Sequence, residues 1–148
     1  MSMLAEKDRT VWTPWGMADY VKNYTEGLDC FGTPSHGGFG VSDELMRDME
    51  PTLAAFKTWA GRNWYEEDCD CIIVVLAFPQ YFGERHLRCA VDALRHDDRK
   101  YFEDGGLDVD RFFTTDHAKA ILHRLASQGL GPSRPVSTFE TDRKTKGK

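Results

Sequence analysis

A short apolar run in the middle of the chain limits the possible folds more than any other feature. Residues 71–78 are all apolar, four in succession at 72–75 are β-branched, and Pro79 closes the run. A run of this length and composition is typical of a strand covered on both faces, since neither face could meet water. The pattern therefore predicts a buried central strand with the remaining elements packed around it.

The residues just before this run form an acidic cluster. Four carboxylates lie within five residues, at Glu66, Glu67, Asp68 and Asp70. Because side chains alternate between the two faces of an extended segment, some of these carboxylates are expected to point toward packed protein. The acidic cluster is therefore the first place to look for a functional site.

Length and composition favour one globular domain. The 148 residues are 41% hydrophobic and 12% aromatic, which is enough for a single core. We predict an ordered domain over residues 11–130, a frayed N-terminus over residues 1–10 and a flexible basic tail over residues 131–148. The aromatic side chains expected in the core include Trp12, Trp15, Trp59 and Trp64.

Neither a signal peptide nor an apolar run of membrane-spanning length is evident, so we expect a cytoplasmic protein that does not enter membranes. In that compartment thiols stay reduced, and no two of the four cysteines have the Cys-x-x-Cys spacing. All four cysteines are therefore expected to act as small buried hydrophobic residues.

The charge of the chain is unevenly distributed. The whole chain carries −5, but residues 131–148 contain five basic and two acidic residues, which leaves −8 for residues 1–130. An acidic body does not favour direct binding to nucleic acid, and it suits a basic protein surface better. The alternative is that a net charge of this size merely keeps a small domain soluble and indicates no partner.

The rest of the sequence predicts both strands and helices. Strands are predicted on either side of Gly27 and at residues 39–41; helices are predicted from Ser42 to Gly61 with a restart at Pro51, over residues 84–95, and from Thr115 to Gly129. The fold class is therefore α+β, with a small, mainly antiparallel sheet of three to five strands covered by three or four helices. A doubly wound parallel sheet is the weaker alternative, since it needs regularly alternating strands and helices.

A histidine lies in the glycine-rich loop at residues 31–41. If the strands predicted at residues 39–41 and 71–78 are neighbours, this loop and the acidic cluster share one end of the sheet, and His36 is expected within hydrogen-bond reach of Glu66, Glu67 or Asp68. A histidine beside carboxylates can form a general acid–base pair or a metal site, and neighbouring carboxylates push each other's pKa values apart. The alternative is structural: His36 bonds a carboxylate and thereby holds the loop.

Each specific enzyme class lacks part of its signature. A single histidine with acids is a weak signature for Mn, Mg or Zn. The chain matches the Arg or His, Ser and Glu signature of an ADP-ribosyltransferase only loosely. No nucleophile elbow is present, and the glycine-rich loop lacks the lysine of a phosphate-binding loop. We therefore predict no bound cofactor and no resident metal.

Three segments resemble the signature motifs of a family of uncharacterised bacterial domains. They read Thr-Pro-Trp-Gly-Met-Ala-Asp from residue 13, Gly-Thr-Pro-Ser-His-Gly-Gly from residue 32 and Trp-Tyr-Glu-Glu-Asp-Cys-Asp from residue 64. That family is carried by phages, plasmids and other mobile elements, alone or inside large antirestriction-type proteins. The resemblance covers about residues 11–82, whereas residues 84–148 match poorly. It implies a mobile-element setting and no established reaction.

Two functional hypotheses follow. The first is a small counter-defence protein, of the anti-CRISPR or antirestriction type, that binds and blocks a host defence protein or ribonucleoprotein complex through its acidic surface. The alternative is a small enzyme, a metal-dependent or acid–base hydrolase or transferase, with His36, Glu66, Glu67 and Asp68 as its site. Burial distinguishes them, because mutually satisfied buried side chains indicate a structural role and an open, ligand-accessible position favours chemistry.

Overall fold

The computed structural model describes residues 11–127, which divide into two compact units. The sheet unit comprises residues 11–48 and 58–71, and the helical unit comprises residues 49–57 and 72–127. The predicted frayed N-terminus and basic tail lie outside the described residues. Within the described range, no helix combines the length and the apolar character needed to cross a lipid bilayer.

The predicted α+β class is confirmed by two antiparallel sheets and seven α-helices in residues 11–127. The sheet unit holds all six strands that the structure describes. The two-stranded sheet contains β1 (Trp12–Thr13) and β2 (Gly16–Met17). The four-stranded sheet, in the order β3-β4-β5-β6, contains β3 (Tyr20–Thr25), β4 (Leu28–Gly32), β5 (Gly37–Val41) and β6 (Trp64–Glu66).

Local signals in the sheet unit were read correctly. The predicted pair of strands joined at Gly27 is the β3–β4 hairpin, where Gly27 has a φ of 90° that favours glycine. The third predicted strand is β5. Ser42 caps helix α1 (Asp43–Asp48) as predicted, since its Oγ accepts a hydrogen bond from the Leu45 amide at 3.2 Å.

The predicted central strand is wrong, because the apolar run forms helix α3 (Cys71–Ala77). Ile73, Val74 and Leu76 are completely buried, so this helix is apolar on every side and its pattern has no helical period. The helix propensity lost at a β-branched residue is at most about 0.7 kcal/mol. Burying such a side chain gains about 1.5–3 kcal/mol, so tertiary burial decides the outcome.

The helical unit contains the other helices. They are α2 (Pro51–Ala54), α4 (Glu84–Asp92), α5 (Arg99–Asp104), α6 (Val109–Phe112) and α7 (Asp116–Ser127), with a 3-10 turn at Pro79–Tyr81 and a π-helical turn at Ala93–Asp97. Helix α2 starts at the predicted proline but stops well before Gly61. The helix predicted over 84–95 changes at Ala93 into the π-helical turn. Thr115 caps α7 as predicted, with Oγ1 accepting from the Ala118 amide at 3.1 Å.

Arg124 of α7 links three parts of the helical unit. Its guanidinium donates to the backbone oxygens of Pro79 at 2.9 Å and Phe82 at 2.8 Å, and to the Glu84 carboxylate at 2.8 Å. The hydrogen bond from Arg124 holds the pKa of Glu84 below its ordinary value. The planar fork of arginine suits this arrangement, since it presents several donors at fixed angles.

The four cysteines form no disulfide. Cys71 is buried as expected, and burial raises the pKa of its thiol well above the ordinary value. Its Sγ donates to the backbone oxygen of Glu67 at 2.7 Å. Cys30, Cys69 and Cys89 are only partly buried, so the expectation that all four are core residues is wrong for three of them.

Val74→Asp is expected to abolish soluble folding. Val74 is fully buried in α3, and an unpaired buried charge costs several kcal/mol out of a total stability of about 5–15 kcal/mol. Soluble yield and a thermal melt followed by circular dichroism measure the effect. Ala120→Asp introduces the same group at an exposed position of α7 and should fold normally. A soluble Val74→Asp protein that melts cooperatively would contradict the buried position of α3.

Candidate functional site

His36 lies at the end of a tightly closed loop between β4 and β5. The buried Thr33 closes this loop, since its amide and its hydroxyl both donate to the backbone oxygen of His36, at 2.7 and 2.8 Å. The same hydroxyl accepts from the His36 amide at 3.1 Å. The backbone of His36 is therefore fixed by Thr33, while 54% of its side chain remains exposed.

The acidic cluster reaches the same end of the sheet through β6. Gly38 of β5 pairs with Glu66 of β6, and the Glu67 amide continues the pairing by donating to the Gly37 oxygen at 2.8 Å. A Cβ atom at Gly38 would lie 2.9 Å from the Glu66 Cα and would overlap the backbone oxygen of Tyr65. This close approach requires glycine, and it brings the segment after β6 beside His36.

Three of the four predicted site residues come together, and we call His36, Glu66 and Asp68 the trio. One ligand atom from each residue lies within 4.8 Å of the other two. The Nδ1 of His36 is 3.6 Å from Oε2 of Glu66, an ion-pair distance that is longer than an ordinary hydrogen bond. Glu67 is not part of the trio.

The electrostatics of the trio centre on Glu66, whose side chain is 18% exposed. Burial raises the pKa of Glu66, and the negative charges of Asp68 and Asp70 raise it further. A hydrogen bond from the Asp68 backbone and the charge of protonated His36 act in the opposite direction. A proton or a cation placed beside Glu66 therefore relieves an unfavourable interaction between carboxylates.

The trio lies at the surface. Asp68 and His36 are exposed, and only Glu66 is partly buried. Thr33 already holds the loop, so an ion pair from the imidazole is not needed for that purpose. This arrangement makes the imidazole and the carboxylates accessible to a solute, as a binding or catalytic site requires.

Asp70, the last member of the acidic cluster, has a structural position. It is completely buried, and its Oδ2 accepts from the Trp59 amide at 3.3 Å. Burial, followed by the charge of Asp70, raises the pKa of Tyr65 to about 12, against a smaller lowering by Arg62. Tyr65 thus stays neutral, and Asp70 lies inside the sheet unit with its carboxyl group bonded to the Trp59 amide.

Two tryptophans expected in the core are at the surface. Trp59 is 75% exposed and Trp12 is 66% exposed, whereas Trp15 is buried. Exposed large hydrophobic side chains of the sheet unit also include Met17 and Tyr20. The sequence interpretation missed these exposed side chains, because whether a tryptophan is covered depends on tertiary packing and not on its neighbours in sequence.

Comparison with known proteins identifies a family. A family profile described as a domain of unknown function, DUF7007, matches residues 8–119. The chain belongs to this family. The matched range includes every described strand and the whole trio, and it extends beyond the segments that carry the three motifs. No curated protein and no solved structure matches the chain.

Gly38→Ala is expected to weaken the pairing of β5 with β6. The added methyl group overlaps backbone atoms, and overpacking of this kind costs about 1–3 kcal/mol, which lowers Tm by about 4 °C or more. Gly83→Ala is the control for steric overlap, since a Cβ there meets no atom within 4 Å; Gly83 is the N-cap of α4, so only the weaker N-cap preference of alanine should lower its Tm. A thermal melt compares the two variants. An unchanged Tm for Gly38→Ala would contradict the close approach that positions Glu66.

Proposed function

We propose that this protein is a small counter-defence protein of a mobile element, of the anti-CRISPR or antirestriction type. It acts in the cytoplasm by binding and blocking a host defence protein or ribonucleoprotein complex. The contact is made by the acidic sheet unit with a basic protein surface. Membership of the domain family is compatible with this proposal, and the three sequence motifs supply the mobile-element setting.

The distribution of charge between the two units carries the proposal. The described residues of the sheet unit include ten acidic and three basic side chains, a net −7. Those of the helical unit include ten acidic and nine basic side chains, a net −1. Nearly all the net negative charge of the described residues therefore belongs to the sheet unit, because it has few basic side chains, as expected for a surface that attracts a basic partner.

Exposed aromatic side chains on the same unit support a protein partner. Trp12 and Trp59 expose most of their surface to solvent, and Tyr20 is 41% exposed. Tryptophan and tyrosine are enriched among the residues that carry most of the binding energy at protein interfaces. Acidic groups that steer a basic partner and aromatic rings that bind it are complementary parts of such an interface.

Removing three of the ten negative charges of the sheet unit, which changes its net charge from −7 to −4, is expected to abolish inhibition of host defence. The test variant carries Asp19→Asn, Glu26→Gln and Glu44→Gln, all at exposed positions. The matched control carries Asp97→Asn, Asp104→Asn and Asp116→Asn at exposed positions of the helical unit. The measurement is the plaquing efficiency of a phage targeted by a resident CRISPR or restriction system in cells that express each protein.

The unaltered protein should raise the plaquing efficiency by orders of magnitude, and the control should match it. The sheet-unit variant should lose this effect because its attraction to the basic partner is weakened. Both variants must show the thermal melt of the unaltered protein for the comparison to be valid. Full inhibition by the sheet-unit variant would contradict the proposed binding surface.

The trio favours a second candidate function, a small hydrolase or transferase. Its imidazole and carboxylates converge at the surface, and neither is needed to close the loop. A carboxyl group with a raised pKa keeps its proton to higher pH and can donate it to a substrate, while an imidazole can accept one. In this candidate His36 and Glu66 exchange protons with the substrate, one as the acid and the other as the base.

His36→Ala and Glu66→Gln separate the two candidates. If the trio performs catalysis, each variant should lose inhibition by orders of magnitude and keep its Tm, since such groups act in the transition state. If the protein acts by blocking, inhibition should persist in every variant that folds. Three measurements are made on each variant: the phage assay, a thermal melt, and binding to the CRISPR or restriction complex that the unaltered protein inhibits. Folded variants that still bind the complex but no longer inhibit it would contradict the blocking mechanism.

A further inference from the structure

We propose that His36, Glu66 and Asp68 bind a divalent transition-metal ion, with Zn²⁺ preferred over Mg²⁺. The sequence analysis predicted no resident metal and left a metal site at these residues open as part of the enzyme alternative, and the proposal takes up that alternative. The inference rests on the trio alone and not on the proposed blocking function. A failed metal test therefore leaves the proposed binding surface of the sheet unit intact.

The ligand atoms are already close to coordination geometry. In a tetrahedral site with metal–ligand distances of about 2.0–2.2 Å, neighbouring ligand atoms lie about 3.4 Å apart. The imidazole Nδ1 and the Glu66 Oε2 are 3.6 Å apart, and all three ligand atoms lie within 4.8 Å of one another. The limit of 4.8 Å exceeds the tetrahedral spacing, so binding requires side-chain rotation of His36 and Asp68, both of which are exposed.

The donor types indicate which ion is bound. One imidazole nitrogen and two carboxylate oxygens suit zinc and its neighbours in the first transition row, whereas Mg²⁺ prefers oxygen ligands and retains its water. Three protein ligands leave a fourth position for water or a substrate, as in catalytic zinc sites. Affinity for such a donor set also rises along the first row, which places zinc above manganese.

The fold fixes the backbone at two of the three ligands before any ion arrives. Thr33 fixes the backbone of His36 with three hydrogen bonds, and the pairing of Gly38 with Glu66 fixes the backbone of the second ligand. A backbone that is already ordered loses little conformational entropy on binding, so more of the interaction energy contributes to affinity. The trio therefore differs from a set of acidic side chains that happen to lie on one surface.

Charge favours a cation at this position. Glu66 is largely shielded from solvent, and a carboxylate oxygen of Asp68 lies within 4.8 Å of the Glu66 carboxylate. The sheet unit as a whole carries a net −7 over its described residues, which attracts cations from solution. A divalent ion at the trio neutralises the two carboxylates directly and accepts the imidazole as its third ligand.

The test is calorimetric titration of the full chain, free of any affinity tag and treated with a chelator, with ZnCl₂ and separately with MgCl₂. Zinc should bind one to one, and His36→Ala and Asp68→Asn should each weaken binding at least tenfold, about 1.4 kcal/mol. The matched controls are His96→Ala and Asp97→Asn, at exposed positions of the helical unit. Both controls should keep the affinity of the unaltered protein.

A thermal melt supplies a second measurement. Zinc should raise the Tm of the unaltered protein and of both controls, since an ion that binds only the folded state stabilises it, and should leave His36→Ala unchanged. Zinc binding that survives His36→Ala overturns the site, as does the absence of one-to-one zinc binding in the unaltered protein. Magnesium binding as tight as zinc binding overturns the assigned preference. If Asp68→Asn does not fold, the His36→Ala comparison decides the outcome.

Discussion

The edge of the four-stranded sheet depends on the close approach of β5 and β6 at Gly38. The far end of that pairing is held by Asn63, whose backbone oxygen accepts from the Val41 amide at 2.9 Å and whose side-chain amide donates to the Val41 oxygen. At Gly40 the absent side chain leaves room for the rings of Phe31 and Trp64, which a Cβ would approach to 3.0 Å. Glycine costs conformational entropy in a strand, and aromatic burial offsets that cost here.

Local interactions could be predicted from the sequence, and elements defined by tertiary burial could not. The cap at Ser42, the turn at Gly27 and the cap at Thr115 each involve residues a few positions apart, so their signals are present in a short stretch of sequence. The state of residues 71–77 depends instead on what surrounds them. An apolar run of seven or eight residues is long enough for either a strand or two helical turns, and complete burial removes the period that distinguishes them.

The candidate site was predicted in part, and for a reason that proved incorrect. His36 was expected near the acidic cluster through a strand at residues 71–78, but β6 is the strand that makes the connection. Which carboxylates join His36 depends on the register that pairs Gly38 with Glu66, and no pattern in the sequence specifies that register. The sequence therefore predicts Glu67 together with Glu66 and Asp68, whereas the trio contains only the latter two.

The charge imbalance of the sheet unit is not required for folding. The helical unit is built with ten acidic and nine basic residues, so chains of this kind can form a compact unit with nearly balanced charge. Ten acidic residues against three basic ones in the sheet unit repel each other and reduce its stability. A positive partner removes that repulsion only when it is bound, whether it is a metal ion at the trio or the basic surface of a protein. Both proposals therefore supply a positive group that offsets the excess of acidic residues in the sheet unit.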